Sequence, residues 1–309
     1  MTVRSPALSP CAERARQRGA AVVLALLTVT LAAVLAASVL ADVGYAIEAV
    51  SGRRDQAQSQ RLARAAVDWA RQVLAQDGRE SNVDHGQENW TVRIPATPLG
   101  DDAQDGTVAG EIVELSGRFN INELAPEGVA NVAAGERLQR LLTRIGEPPE
   151  TARALTQTLT RWIAAGPAAD GDPAPHAPLV AVDEVAAVVG IDPSLWHRLQ
   201  PFITAVPTPS PINVNTAPAE VLSALVPGLD LNAARVLVAE RDHAWFRDLA
   251  DFGARLPAGA SPPSGQLASV SSHHFLVTIH ASYGVAVSRL EALLERRRIW
   301  PEILWYRIP

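Results

Sequence analysis

The stretch 14-RARQRGAAVVLALLTVTLAAVLAASVLAD-42 decides how the rest of the chain is arranged. No charged residue occurs from Ala20 to Ala41, and Arg14, Arg16 and Arg18 lie immediately before. As a helix rising about 1.5 Å per residue, that segment is roughly 33 Å long, enough to cross a bilayer core. The basic cluster places residue 1 in the cytoplasm and the body on the far side of the membrane. The helical pattern continues past the membrane edge. Val43, Ile47, Val50, Arg54, Leu62, Ala65, Ala66, Trp69 and Val73 recur at spacings of three, four and seven, with a weaker patch at 51–61. No proline appears from Ala12 to Ile94. The spacing predicts one helix from about Ala20 to Gln76, ended by Asp77-Gly78.

Three readings of this start compete. One is a secretory signal cleaved near Val39-Leu40-Ala41, although such apolar regions run about 7–15 residues and this one is longer. Another is an uncleaved signal anchor. The third rests on Arg16-Gln17-Arg18-Gly19 running straight into Ala20-Ala21-Val22-Val23-Leu24, which resembles the leader of type IV pilin-like proteins. That resemblance implies cleavage by a prepilin peptidase after Gly19, methylation of Ala20, and retention of the apolar helix. Most such subunits carry Glu at the fifth position of the mature chain, paired with the terminal amine of the subunit ahead. Here the position is Leu24. The resemblance then implies a subunit first in line; drift, or an anchor that is not a pilin, are the competing readings.

The formal charge is −6, and every basic residue is arginine. Four arginines and one acid, Glu13, precede residue 20, so the remainder is more acidic still. Such a body is not built to hold polyphosphate. The only cysteine is Cys11, which excludes disulfides, cysteine-ligated zinc and thiol catalysis from the rest of the chain.

The body reads as strands on both sides of a helical block. Trp90, Val92 and Ile94 alternate in 89–96, and 107–124 reads as strand, turn, strand, after a polar connection at 98–106. Helices are predicted at 134–146, 149–163, 182–190 and 193–202, and extended chain at 203–215. A hairpin follows. Thr216 is placed as the cap of its first helix, Leu222, Leu225 and Val226 face inward, Pro227-Gly228 turns, and Ala233, Val236 and Leu237 face back. A shorter helix at 247–256 closes it, and strands return at 274–284, 285–298 and 299–309, Pro301 marking an edge. Asn120-Ile121-Asn122 echoes Asn213-Val214-Asn215, and Gly146 to Arg153 echoes Gly228 to Arg235, which suggests two related units. The predicted class is α+β: a long N-terminal pilin-type helix, a small antiparallel sheet, and a large inserted all-α domain with helix-hairpin-helix-like units. The divisions are a leader 1–19, a spine helix 20–76 with a transmembrane segment 20–41, a first β region 77–124, a helical insert 125–257 (units 125–202 and 216–257), and closing strands 258–309.

Four motifs occur in order: Arg16-Gln17-Arg18-Gly19 with an apolar fifth position, Gly117-Arg118-Phe119-Asn120-Ile121-Asn122, Val182-Asp183-Glu184, and Ile212-Asn213-Val214-Asn215-Thr216-Ala217. Together they resemble the large minor pseudopilin K of bacterial type II secretion systems, the general secretion pathway protein K family. The resemblance covers almost everything after Arg14. It implies a non-catalytic subunit at the pseudopilus tip, with minor pseudopilins I and J as partners, and through them H and the major pseudopilin. It also implies a single-pass inner-membrane protein with a cytoplasmic N-terminus and a periplasmic body. Family members often follow Trp-Ile with an aspartate run that contributes to calcium binding. Here Trp162-Ile163-Ala164-Ala165-Gly166 leads only to Asp170 and Asp172. Calcium takes six to eight oxygens, so these two need help from elsewhere. A calcium site and a solvated loop both stay open.

A hairpin that grips phosphate needs bare turn amides and basic neighbours. Val226-Pro227-Gly228-Leu229-Asp230 lacks the second glycine and puts an acid where the anion would approach, so no nucleic acid is expected. No HExxH, Gly-rich phosphate loop or G-x-S-x-G occurs, and His273, His274 and His280 read as surface or half-buried residues, so no enzyme is expected. The alternatives are a membrane-anchored DNA receptor of the competence type, using the 216–257 hairpin, and a minor pilin of a related type IV pilus.

Overall fold

The structure is a computed structural model that describes residues 10–100, 106–164 and 177–308. Helix α1 runs unbroken from Pro10 to Glu80, so it starts earlier and ends later than the periodicity predicts. Asp77-Gly78 does not stop it, because one glycine costs an exposed helix only about 1 kcal/mol. The buried stripe also differs from the expected one. It comprises Ser59, Ala63, Val67, Ala70 and Leu74, while Trp69 is 53% exposed. Ser59, Ala63 and Ala70 let the helix lie close against the sheet, Val67 and Leu74 fill the core between them, and Leu62, Ala66 and Val73 flank that contact.

The sheet has five strands in the order β1-β2-β7-β8-β9. These are β1 (Ile94–Pro98), β2 (Thr107–Glu114), β7 (His274–Tyr283), β8 (Ala286–Glu295) and β9 (Glu302–Arg307), paired antiparallel throughout. Phe275, Val277 and Ile279 alternate onto the face that packs against α1, joined by Leu290, Ala292 and Leu294. Trp90 closes that core edge-on to Phe275, with ring centroids 5.6 Å apart. The opposite face carries Val113, Leu276 and Leu293 against Val206 and Leu115. Both edge strands carry or follow proline, Pro95 and Pro98 in β1 and Pro301 before β9, which blunts them against further pairing. The expected strand at 89–96 is a 3-10 turn, Asn89–Thr91, followed by β1 from Ile94. Trp90 is drawn into the core there, which overrides the alternation.

Between the neighbouring strands β2 and β7 the chain leaves the sheet and builds a helical lobe with its own hydrophobic core. Short strand β3 (Phe119–Asn120) leads to helices α2 (Val132–Arg144), α3 (Pro149–Ile163), α4 (Glu184–Val189) and α5 (Pro193–Leu199), and returns to pair in parallel with β4 (Ile203–Thr204). The second round repeats the plan. Strand β5 (Ile212–Asn213) leads to α6 (Ala219–Leu225), α7 (Leu231–His243) and α8 (Leu249–Ala254), and returns to pair in parallel with β6 (Ala268–Ser269).

The two asparagine pairs hold equivalent places in these rounds. Asn122 donates to Leu179 O at 2.9 Å and accepts from Leu179 N at 2.8 Å. Asn215 does the same with Phe246, at 2.9 and 2.8 Å. The hairpin turns match as well: Gly146 and Gly228 both take positive φ, 98° and 81°. Two details of the second hairpin differ from expectation. Thr216 caps nothing; α6 starts after Pro218, and Thr216 Oγ1 instead donates to Asn213 O at 3.4 Å. Val236 is 58% exposed, and Ala234 takes the inward place.

Candidate assembly surface

Residues 20–51 of α1 are exposed on every side, and the apolar stretch includes Leu24 at 62% exposure. This is one helix long and apolar enough to cross a membrane. Beyond it the same helix packs against strands β7 and β8 of the sheet. Gly19 and Ala20 both lie within α1, where the apolar run begins. Asp170 and Asp172 lie outside the described residues.

Where α1 ends, a network joins it to sheet and lobe. The carboxylates of Asp77, Asp84 and Glu88 converge within 4.8 Å of one another. Arg296 supplies the positive charge they require. Its Nη1 donates to Asp77 at 2.8 Å and to Leu74 O at 3.1 Å, its Nη2 pairs with Asp84, and its guanidinium lies 4.9 Å over the Phe275 ring. A cation therefore already occupies the junction, and we assign no metal to it. The other Asp84 oxygen accepts from Ser272 N at 2.6 Å, and Asp84 O accepts from Asn213 Nδ2 at 2.9 Å, so the second asparagine pair is tied to the end of the spine. Glu88 accepts from His85 N at 2.9 Å and Trp90 Nε1 at 2.8 Å. Burial, reinforced by the charges of Asp77 and Asp84, pushes its pKa up to about 7. The sequence offered no pattern for this junction, because its members come from the end of a helix, the loop after it and the charged tail of a strand far apart in the chain.

His274 is fully buried, where the sequence reads as surface or half-buried. It starts a central strand, and its Nε2 lies 3.2 Å from Thr208 Oγ1 and 3.4 Å from Glu295 Oε1. Burial lowers its pKa to about 4 despite Glu295. His280 is exposed on the same strand.

At the second hairpin, the amides that would cradle a phosphate are taken by the chain itself. Asp230 Oδ1 accepts from Asn232 N at 2.8 Å and Ala233 N at 2.9 Å. Pro227 O accepts from Ser261 N at 3.0 Å, and a Cβ on Gly228 would meet Gly259 O at 2.4 Å, so residues 259–261 cover the turn.

Two family models, both described as type II secretion system (T2SS), protein K, match residues 117–208 and 212–271. Each spans one round of the lobe. The type II secretion system protein K of Pseudomonas aeruginosa is 27% identical over 303 residues, covering 92% of this chain and 90% of that protein. The protein of the same description from Klebsiella pneumoniae is 26% identical over 314 residues, covering 91% and 93%. Among solved structures, a chain of the GspK-GspI-GspJ complex from the enterotoxigenic Escherichia coli type 2 secretion system superposes with a TM-score of 0.69 at 21% identity, covering 84% of this chain and 99% of that chain. On the two family matches, which take in both rounds of the lobe, and the near full-length match to the relatives, this chain belongs to the type II secretion system protein K family, the minor pseudopilins.

Proposed function

We propose that the chain works as a non-catalytic minor pseudopilin at the tip of the pseudopilus, where it starts or caps assembly and so supports protein export across the outer membrane. The observation that carries this reading is the spine. From Ala20 to Ala41 it is a bare apolar rod without an acid, and its second half is built into the body. Apolar area on such a rod is buried either by lipid or by other spines. A fibre interior lets a charge in only when it is paired. Leu24 offers nothing to the amine of a subunit ahead, so the first place in the filament suits it. The reading includes cleavage after Gly19 by prepilin peptidase, methylation of Ala20, a cytoplasmic leader and a periplasmic body. Partners are the minor pseudopilins I and J, and through them H and the major pseudopilin; the solved relative complexed with GspI and GspJ supports the first two.

Mass spectrometry of the membrane-bound form tests it. A chain starting at methylated Ala20 is expected, and co-purification with I and J. A start at Met1 or Asp42, or distribution of the protein along the shaft, overturns the tip reading. Calcium at Asp170 and Asp172 belongs to the same reading. A chelator should lower Tm and added calcium restore it, with no such response in the D170N/D172N variant; a Tm indifferent to chelator removes the metal. The competence-type DNA reading finds no support at the second hairpin, where Asp230 fills the anion position.

A further inference from the structure

Strand β2 is longer than the strand that covers its outer edge. β1 pairs with it only from Thr107 to Gly110; upstream of Ile94 the chain closes into the Asn89–Thr91 turn instead of extending the strand. Leu115 N donates to His274 O at 2.9 Å, so Val113 and Glu111, in the same register, direct their backbone groups toward β7. By alternation Ile112 and Glu114 direct theirs outward. No described residue takes those N–H and C=O groups. They stand along one wall of a cavity of about 670 Å³ between the sheet and the second round of the lobe.

The other walls hold two arginines with unmet hydrogen-bonding capacity. Among the described residues, the Arg118 guanidinium makes no hydrogen bond or ion pair, and burial disfavours its charge. The nearest acid, Glu114, has both oxygens within reach of Gly117 N, at 3.1 and 3.0 Å, and burial raises its pKa toward the neutral form. The Arg241 side chain is only 9% exposed. Its Nη1 donates to Val214 O at 2.7 Å and Ala217 O at 2.5 Å, while its Nε has no hydrogen-bond partner. At the mouth, Trp245 stacks on His85 at 4.2 Å and stays 42% exposed.

We propose that this cavity binds an extended, acidic segment of another polypeptide, which adds as a strand to the 111–114 edge of β2 and sets a carboxylate on Arg118. A strand supplies the partners that the outward amides and carbonyls lack, and alternate side chains on it reach the two sides of the cavity. A carboxylate meets the planar fork of an arginine with two parallel bonds, and the partly dry surroundings strengthen them. An acidic partner is favoured because the cation is unpaired. A polyanion such as nucleic acid would meet a body of net negative charge. The site does not rest on the tip position: it exists in the single chain, and its failure would leave that reading untouched.

The test uses the full chain in detergent micelles and the probe acetyl-Val-Thr-Asp-Thr-Val-amide, followed by calorimetry. Saturable binding is expected, weaker by about tenfold when Asp becomes Asn, the ratio of one charge-assisted contact. N-methylation of the peptide amides on one edge should abolish it. Arg118→Met should erase the Asp/Asn preference. Because the two peptide changes act on the unaltered protein, a variant that fails to fold does not remove the test. The proposal is overturned by absence of saturation, by equal binding of the N-methylated peptide, or by acetate competing at the peptide's own concentration. It is also overturned by self-association of the protein that the probe disperses, which would make the occupant a second copy of this chain.

Discussion

Arg296 is held by two carboxylates, a helix-end carbonyl and an aromatic face, and it in turn holds the end of the spine against the lobe. Replacing it with methionine leaves Asp77 and Asp84 buried without a cation. The expected loss is about 3–5 kcal/mol, read as a lower urea midpoint at unchanged slope. Glu88 adds a pH dependence of definite sign. Its folded pKa, about 7, lies above the ordinary 4.5, so the folded state binds more protons between those values. Stability from this group is therefore lost as pH rises from about 4.5 to 7. His274 acts oppositely: its folded pKa of about 4 lies below 6.5, so the unfolded state binds more protons and stability grows as pH rises over that window. The two partly offset each other near pH 5–6. Comparing the native chain with Glu88→Gln isolates the first. The variant should gain on the order of 2 kcal/mol relative to the native chain between pH 5 and pH 8. A pH-independent difference would show that Glu88 titrates normally. None of this was legible in the sequence. Asp84 and Glu88 stood in an unremarkable polar loop, and His274 read as a surface or half-buried residue because alternation gives a side chain's face without saying whether that face is covered.

At the level of elements, the two rounds of the lobe are closed by the same device. Asn122 and Asn215 each bind both backbone groups of one distant residue. Alanine at either leaves a buried N–H and C=O unsatisfied, at about 1–3 kcal/mol each. Hydrogen exchange should then accelerate mainly in α3 and α4 for Asn122→Ala, and in α7 and α8 for Asn215→Ala; uniform acceleration would mean that the rounds are one cooperative unit. Gly228→Ala forces a Cβ to 2.4 Å from Gly259 O at φ 81°, so a loss of more than about 1 kcal/mol is expected. The repeat itself was visible as two Asn-x-Asn pairs and two glycines. What the pairs do was not, because their partners Leu179 and Phe246 carry no polar side chain and bind through the backbone. Helix positions were legible from their 3.6-residue period, and strands β7 to β9 from alternation. The 89–96 segment failed because burial of one tryptophan outweighed a short alternating pattern, and the buried face of α1 was misassigned because three of its members, Ser59, Ala63 and Ala70, carry little hydrophobic signal.

For the whole molecule, the exposed half of α1 is the part that the proposed function sets in membrane and filament. Leu24→Glu introduces a carboxylate into that apolar rod, which costs several kcal/mol in lipid unless it is paired. If Leu24 keeps the subunit at the front, the variant should appear within sheared pseudopili below the tip, counted by quantitative mass spectrometry against the major subunit. An unchanged ratio would show that the fifth residue does not set position. The long apolar half of α1 was the most legible feature of the chain, since length and absence of charge suffice to recognise it. The beaded plan of the lobe followed from motifs, whereas the cavity beside β2 needed coordinates, because it is made where a strand ends early.

The helical lobe departs at Leu115 and re-enters at His274, and these two residues are already bonded neighbours across adjacent strands. Its doorway is therefore only one ladder rung wide, about 5 Å. An excursion with so narrow a threshold can be swapped, enlarged or excised by joining its doorposts with a tight hairpin, while the spine and sheet keep their register. A trimmed version lacking it offers a direct means of asking which duties belong to the stem and which to the crown.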